Sequence, residues 1–206
     1  MSIKFLFSPI QSKSIVDSII FLESRGTWSP FDDRAVDFVN ELSKCLLKER
    51  VVIDYPDLVA LAYWFRKSNI KRLSEFYKDS DKFYRIGRGL SLHMAPSNVD
   101  TIFVYSFFLS LLAGNTTIIR VSQKESPQLT ILINLFIKLH NTRKYEASSR
   151  FIICTYAHGD DATKVISERC NMRLIWGGDD TTSLLSVVPL NPTALELRFP
   201  NRSSFS

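Results

Sequence analysis

The chain has 206 residues, 45% of them apolar and 12% aromatic, with 26 Lys and Arg against 21 Asp and Glu and a net charge of +5. That is enough apolar material for one domain with a real core, with or without a small appended one, and too much for a disordered chain. The basic residues are scattered rather than gathered into a run, which argues against nucleic acid and suits an anionic ligand such as a nucleotide cofactor or an acyl carrier.

Residues 1–85 read as a helical region. Ile15, Ile19, Ile20 and Phe21 form a helix-like pattern before Gly26. Ser29-Pro30 opens the next, with Val36, Phe38, Val39, Leu42, Leu46 and Leu47 at three- and four-residue spacing. A third begins at Asp54-Tyr55-Pro56-Asp57, with Pro near its first turn, and a fourth runs around Ile70–Tyr77. From residue 86 the texture changes. Strands are predicted at Leu90–Ala95, Thr116–Val121, Phe151–Tyr156, Arg173–Trp176 and Ala194–Phe199, and helices at Val99–Leu112, Pro127–Leu139, Asp161–Cys170 and Asp180–Val187. Apolar strands that barely alternate, each followed by a helix, predict an α/β fold: a Rossmann-like parallel sheet with helices on both faces.

Three cysteines (Cys45, Cys154, Cys170) at wide spacing contain no CxxC pair, and His93, His140 and His158 form no HxxxH pair. A disulfide framework and a metal site are therefore not expected, and the usage fits a reducing cytoplasm. The start MSIKFLFSPIQSKS makes a poor secretory signal. The longest apolar run, Ile102–Ala113, falls short of the roughly 20 residues that span a bilayer. A cytoplasmic chain without a membrane span is expected.

Ligands of a doubly wound sheet bind at the carboxyl ends of its strands. The turns there are Pro96–Asn98, Ser122–Ser126, Ala157–Asp160 and Gly177–Asp180, each rich in residues that present N–H groups or hydroxyls to an anion. The dinucleotide fingerprint GxGxxG is absent, and Gly87-Arg88-Gly89 precedes its strand, as a turn. His93, inside a buried strand, reads as a hydrogen-bonded core residue. His158, at a ligand-side turn, is the better acid–base candidate, though a structural reading is preferred. Trp64, Trp176 and the Phe-rich stretch 103–108 read as core.

The stretch SLHMAPSNVDTIFVYSFFLSLLAGNTTIIRVSQKESP resembles the aldehyde dehydrogenase superfamily. There a strand ends in a Pro-x-Asn turn, an apolar helix follows, and Ala-Gly-Asn-Thr leads into a strand ending in Lys-Pro-Ser-Glu. YPDLVALAYWFRKSNIKRL, the Pro-Ser-Asn-Val turn and LIWGGDDTTSLLSVVPLNPTALEL are most similar to the fatty-acyl thioester (acyl-CoA) reductases of the LuxC type. That resemblance, from about residue 50 onward, implies reduction of a long-chain acyl-CoA or acyl-protein thioester to a fatty aldehyde with a nicotinamide cofactor.

By resemblance, Asn98 stabilises the oxyanion of the tetrahedral intermediate through its amide; as a plain helix residue it caps Val99–Leu112. Gly114 and Asn115 read as a helix C-terminal turn. Arg120 stands where the family usually carries Lys, reaching the adenosine ribose. Gln123 stands where a Glu often holds the ribose hydroxyls. A neutral Gln beside Arg120, Ser122 and Lys124 tolerates a 2′-phosphate, so NADPH is expected over NADH; the plain alternative is a solvated basic turn. Gly177 and Gly178 resemble the turn that approaches the pyrophosphate, although Asp179 and Asp180 compete with phosphate for the same helix end. Glu196 lies near the family's general base in Glu-Leu-Gly-Gly, but Arg198-Phe199 replaces the two glycines here; otherwise it is an edge or strand-end carboxylate.

The family's reaction runs through a Cys thiolate that holds the acyl group. None of the three cysteines stands where the resemblance puts that nucleophile, which belongs to a catalytic domain beyond the Glu-Leu region. Three readings stay open. The chain is the cofactor-binding portion of an acyl-thioester reductase, inactive alone and oligomeric only in its full-length form. Or it is a non-catalytic nucleotide- or partner-binding module. Or it is a basic α/β protein with another anionic ligand.

Overall fold

The computed structural model describes residues 3–11, 14–77, 83–95, 101–124, 126–157 and 160–200. Its centre is a six-stranded sheet. β2 (Leu90–Met94), β3 (Thr116–Arg120) and β4 (Phe151–Thr155) are buried at every position, as parallel strands between two helical layers must be. β5 (Met172–Trp176) pairs with the other side of β2, and β6 (Leu195–Phe199) lies outside it. These five strands are parallel. The order is β1-β4-β3-β2-β5-β6, with β1 (Lys4–Phe7) antiparallel to β4.

Strand connectivity decides which helix lies where. The chain moves outward from β2 through β3 to β4, then returns past β2 to β5 and β6. Right-handed crossovers therefore place α5 (Ile102–Leu112) and α6 (Pro127–Asn141) on one face, and α7 (Ala162–Ser167) and α8 (Asp179–Ser186) on the other. The two cores follow this division. Phe107, Phe108, Leu132 and Phe136 pack on Ile119, Phe151 and Ile153, while Ala162, Ile166 and Leu185 pack with Leu92, Ile118 and Ile152. Phe151 sits in an aromatic cluster, with ring centroids 4.5 Å from Phe107 and 4.7 Å from Phe7.

The N-terminal helices divide between the same two faces. α1 (Ile15–Ser24), capped by the Ser14 side chain, lays Ile15, Ile19 and Leu22 on the α7 side. α2 (Asp33–Lys48), capped by Asp32, and α3 (Pro56–Trp64), with its Pro in the first turn, pack on the α5 and α6 side, and α4 (Lys67–Glu75) adds Ile70 there. The fold class matches expectation, a mostly parallel sheet with helices on both faces and a helical N-terminal region. That region also contributes an edge strand, β1, which the reading of residues 1–85 as helical did not include.

Arg150 ties the layers together. It is fully buried, stacks on the Trp28 ring at 4.0 Å, and donates to the carbonyls of Arg25, Gly26 and Gly114 at 3.1, 2.7 and 3.1 Å. Arg34 also lies 4.0 Å from the Trp28 ring. Gly114 adopts φ +88°, the left-handed turn expected after α5. Asn115 closes it by accepting from the N–H groups of Arg88 and Gly89 at 2.6 and 3.2 Å.

Two expectations about burial need correction. Trp64 is 37% exposed at the end of α3, and β6 shows Leu195 and Leu197 at 41% and 37% exposure. Both leucines belong to an edge strand, so burial on both faces does not extend to β6.

Candidate functional site

The strand order reverses between β2 and β5, and a ligand of such a sheet sits in the crevice outside the carboxyl ends of those strands. The turn carrying Asn98, like His158, lies outside the described residues. Across the crevice, Gly177 follows β5 and donates its N–H to the Phe199 carbonyl at 3.4 Å. A Cβ at Gly177 would stand 3.2 Å from side-chain carbons of Thr181, so the turn is drawn tightly onto the start of α8. Gly178 caps that helix in an extended conformation, and Asp179 and Asp180 fill its first turn.

Arg120 occupies the last position of β3, opposite Met94 on one side and Cys154 on the other. Alternation along the strand puts it on the same face as Ile118, the α7 and α8 side. Its guanidinium is buried, donates to the Tyr156 carbonyl at 3.1 Å and lies 5.8 Å from the Tyr156 ring. Its Nε has no hydrogen-bond partner, and it makes no ion pair among the described residues. Burial lowers its pKa and raises that of Tyr156, and an arginine remains a cation at neutral pH. A buried cation with an unsatisfied N–H fits an anionic or hydroxyl-rich ligand.

Ser122, Gln123 and Lys124 pass over the carboxyl edge to the opposite face. The Ser122 Oγ accepts from the Lys124 N–H at 3.2 Å, a turn that fixes the loop. All three line a cleft of about 570 Å³ between β1 and the first turns of α6, together with Lys4, Leu6, Leu129, Ile133 and Thr155. The structure thus brings Ser122, Gln123 and Lys124 together, and sets Arg120 on the other side of β3.

Glu196 stands apart from these groups. It faces Arg173 in register near the start of β6, away from the carboxyl edge where Trp176 meets Phe199. Its carboxylate accepts from Arg173 Nε at 2.6 Å and Arg198 Nε at 2.5 Å, and also pairs with Arg173 Nη2. The geometry matches the edge carboxylate considered alongside the base: its oxygens are committed to two guanidinium groups.

His93 is buried on β2, its Nδ1 2.8 Å from the Ser106 Oγ and its Nε2 without a partner. Burial pushes its pKa down to about 3, so it is a neutral imidazole at physiological pH. Burial also raises the thiols, Cys154 up to about 12 and Cys170 up to about 11, with Cys45 shifted in the same direction. None is poised as a thiolate nucleophile.

Sequence reasoning missed Lys4, Thr155 and Tyr156 at this edge. Lys4 belongs to KFLF, whose four residues are too few to announce a strand. In the sequence Thr155 and Tyr156 stand only as the end of the strand expected at Phe151–Tyr156. Polarity at the end of an otherwise apolar strand was the available signal. Among the described residues no three His, Cys, Asp or Glu side chains form a group that could hold a metal ion, and no helix is long and apolar enough to cross a membrane.

A family model described as acyl-CoA reductase (LuxC) matches residues 67–206. No curated protein sequence matches the chain. In structure it is similar to a proline utilization A (PutA) variant of Bradyrhizobium japonicum, with TM-score 0.64 and 15% identity over 94% of this chain and 22% of that one. An NAD-dependent benzaldehyde dehydrogenase from Corynebacterium glutamicum gives TM-score 0.60 and 10% identity over 97% of this chain and 51% of that one. An aldehyde dehydrogenase from Bartonella henselae gives 0.56 and 15% over 97% and 48%. The likeness at these identities is one of fold, and the chain spans about half or less of each of these structures.

Proposed function

The chain belongs to the acyl-CoA reductase (LuxC) family, and from that premise we propose that its sheet is the cofactor-binding portion of an enzyme that reduces a long-chain acyl thioester, carried by CoA or a protein, to a fatty aldehyde with NADPH. The observation that carries this reading is Arg120 at the carboxyl edge, buried and without an ion pair among the described residues, followed by the Ser122–Lys124 turn. When bound, the nicotinamide supplies hydride.

The chain's own residues hold and orient. Arg120 offers its unsatisfied Nε–H toward the ribose side of the dinucleotide. Ser122, Gln123 and Lys124 present hydroxyl, amide and ammonium groups and no carboxylate, which leaves a 2′-phosphate unopposed. Gly177, packed closely on Thr181, and Gly178, at the start of α8, are the turn assigned to the pyrophosphate. Asn98 is the amide assigned to the thioester oxygen as it gains charge. Glu196 is not needed for proton transfer in this scheme; it neutralises Arg173.

Burial raises the thiols of Cys45, Cys154 and Cys170, which supports seeking the acyl-accepting thiolate elsewhere. The same observation favours the second reading, a nucleotide- or partner-binding module with no chemistry of its own. Quenching of Trp fluorescence on titration with NADPH and NADH tests the first step of both readings. NADPH binding tighter than NADH is expected; no binding of either at millimolar concentration would overturn the cofactor assignment. Neither reading expects an adduct on Cys45, Cys154 or Cys170, so incubation of the full-length gene product with an acyl-CoA, followed by intact-mass measurement, separates the two. An adduct formed by the protein and lost on adding NADPH supports the reductase; its absence supports the module.

A further inference from the structure

The cleft between β1 and α6 contains more than the cofactor turn requires. Antiparallel pairing sets Lys4 directly opposite Thr155, so the first strand of the chain delivers an ammonium group to the ligand-side end of β4. Alternation along β4 turns Thr155 to the same face as Phe151 and Ile153, toward α6. Its hydroxyl is buried and has no hydrogen-bond partner among the described residues, in a side chain more than nine-tenths buried. A hydroxyl left in that state destabilises the unliganded protein unless a ligand satisfies it.

The electrostatics agree. Lys4 and Lys124 both line the cleft, neither makes an ion pair among the described residues, and no Asp or Glu contributes to its described walls. The first turn of the 15-residue helix α6 opens into it, adding the positive end of a helix dipole. Leu6, Leu129 and Ile133 supply an apolar shelf beside the charges. The cleft volume of about 570 Å³ lies in the range of small-molecule sites.

We propose that the β1–α6 cleft binds the phosphomonoester of an adenosine-bearing ligand, with Lys4 and Lys124 as its cations and the Thr155 hydroxyl as a hydrogen-bond donor. The adenosine rests on the cofactor reading, because the Ser122–Lys124 turn assigned to the ribose forms one wall; the phosphomonoester site rests on the cleft itself. Two ligands of the proposed reaction carry that chemistry: the 2′-phosphate of NADPH and the 3′-phosphate of CoA. Lys4 is then a specificity residue, contributed by a strand that a doubly wound sheet does not itself require.

Isothermal titration of the full chain with adenosine 2′,5′-bisphosphate, adenosine 3′,5′-bisphosphate, 5′-AMP, NADPH and NADH tests this. One bisphosphate is expected to bind about tenfold or more tightly than 5′-AMP; Lys4→Gln and Lys124→Gln should each remove most of that advantage, and Lys4→Gln should leave NADH affinity unchanged. Preference for the 2′-isomer identifies the dinucleotide as the source, and preference for the 3′-isomer identifies CoA. Bisphosphate affinities unchanged in both Lys variants overturn the site, even if NADPH and NADH still bind. Failure of the wild-type chain to bind either dinucleotide while a bisphosphate binds in a Lys4-dependent way overturns the cofactor reading alone. Thr155→Val should raise the unfolding temperature of the unliganded protein and weaken the bisphosphate. A lowered unfolding temperature would instead mark the hydroxyl as structural and overturn its role.

Discussion

Arg173 and Glu196 face each other across β5 and β6, and Arg173 is only 1% exposed. Arg173 also donates to the Ser167 hydroxyl at 2.9 Å and the Val188 carbonyl at 3.1 Å, so one guanidinium joins the edge strand to the segments around α7 and α8. Removing the carboxylate leaves a buried cation without its counter-charge. Glu196→Ala is expected to lower the unfolding free energy by about 3 kcal/mol, with Glu196→Gln intermediate, in urea denaturation. Unchanged stability together with loss of turnover in the intact enzyme would return Glu196 to acid–base chemistry.

Gly114 cannot be replaced quietly. Its φ is +88°, and a Cβ there would stand 2.0 Å from the Trp28 carbonyl oxygen. Gly114 also accepts from the Trp28 N–H at 3.0 Å and from Arg150. Gly114→Ala should cost about 3 kcal/mol or more, seen as a lowered thermal midpoint, because strain and a backbone clash add. Gly26→Ala is the control: it shares a positive φ of +59° but meets nothing within 4 Å, so it should cost about 1 kcal/mol.

Acid should weaken the fold through His93. Its folded-state pKa of about 3 lies below the ordinary 6.5, so the unfolded chain takes up the proton first. The stabilisation is complete above pH 6.5 and declines as pH falls toward 3. By pH ~4.5 the loss amounts to about 2–3 kcal/mol. His140, lowered mainly by burial, adds in the same direction. Unfolding free energies measured against pH should show this slope, and it should flatten in His93→Leu. Proton NMR should find the His93 ring neutral down to about pH 4.

Thiol labelling should separate the cysteines. Cys154 and Cys170 are buried and Cys45 half-buried. In native buffer at neutral pH, iodoacetamide should modify Cys45 slowly and the other two not at all, with all three reacting in denaturant. Mass mapping of the alkylated peptides reads this directly. Rapid labelling of Cys154 or Cys170 in the native state would mean that the helices over them open.

Burial on both faces made β2, β3 and β4 legible, since runs such as TTIIR and FIICT leave no polar face for solvent. Pro56 and Gly114 marked a helix start and a helix end by their backbone constraints alone. β1 was not legible because its pairing is decided by β4, far along the chain, and four residues carry almost no periodicity. At the site, Ser122, Gln123 and Lys124 are neighbours in sequence and therefore in space. Lys4 and Thr155 become neighbours only once the sheet exists. Alternation sets Arg120 on the same side as Ile118, whereas Lys124 lies beyond the end of β3, in the turn that leads to α6; which side each takes depends on the crossovers. The pairing of Glu196 with Arg173 was not legible, because a strand-end motif fixes residue order and says nothing of the guanidinium on the next strand.

The pairing of residue 4 with residue 155 also sets an order of assembly. Residues of β1 leave the ribosome before those of β4 and have no partner until β4 has been made and laid beside β3. Contacts this distant in the chain form late, after loop-closure entropy has been offset by nearer ones. The first strand is then the last to dock, and until it does the sheet presents β4 as a bare edge. A chain caught at that stage would have its parallel strands in place, β1 undocked, and a surface open to strand exchange with another copy.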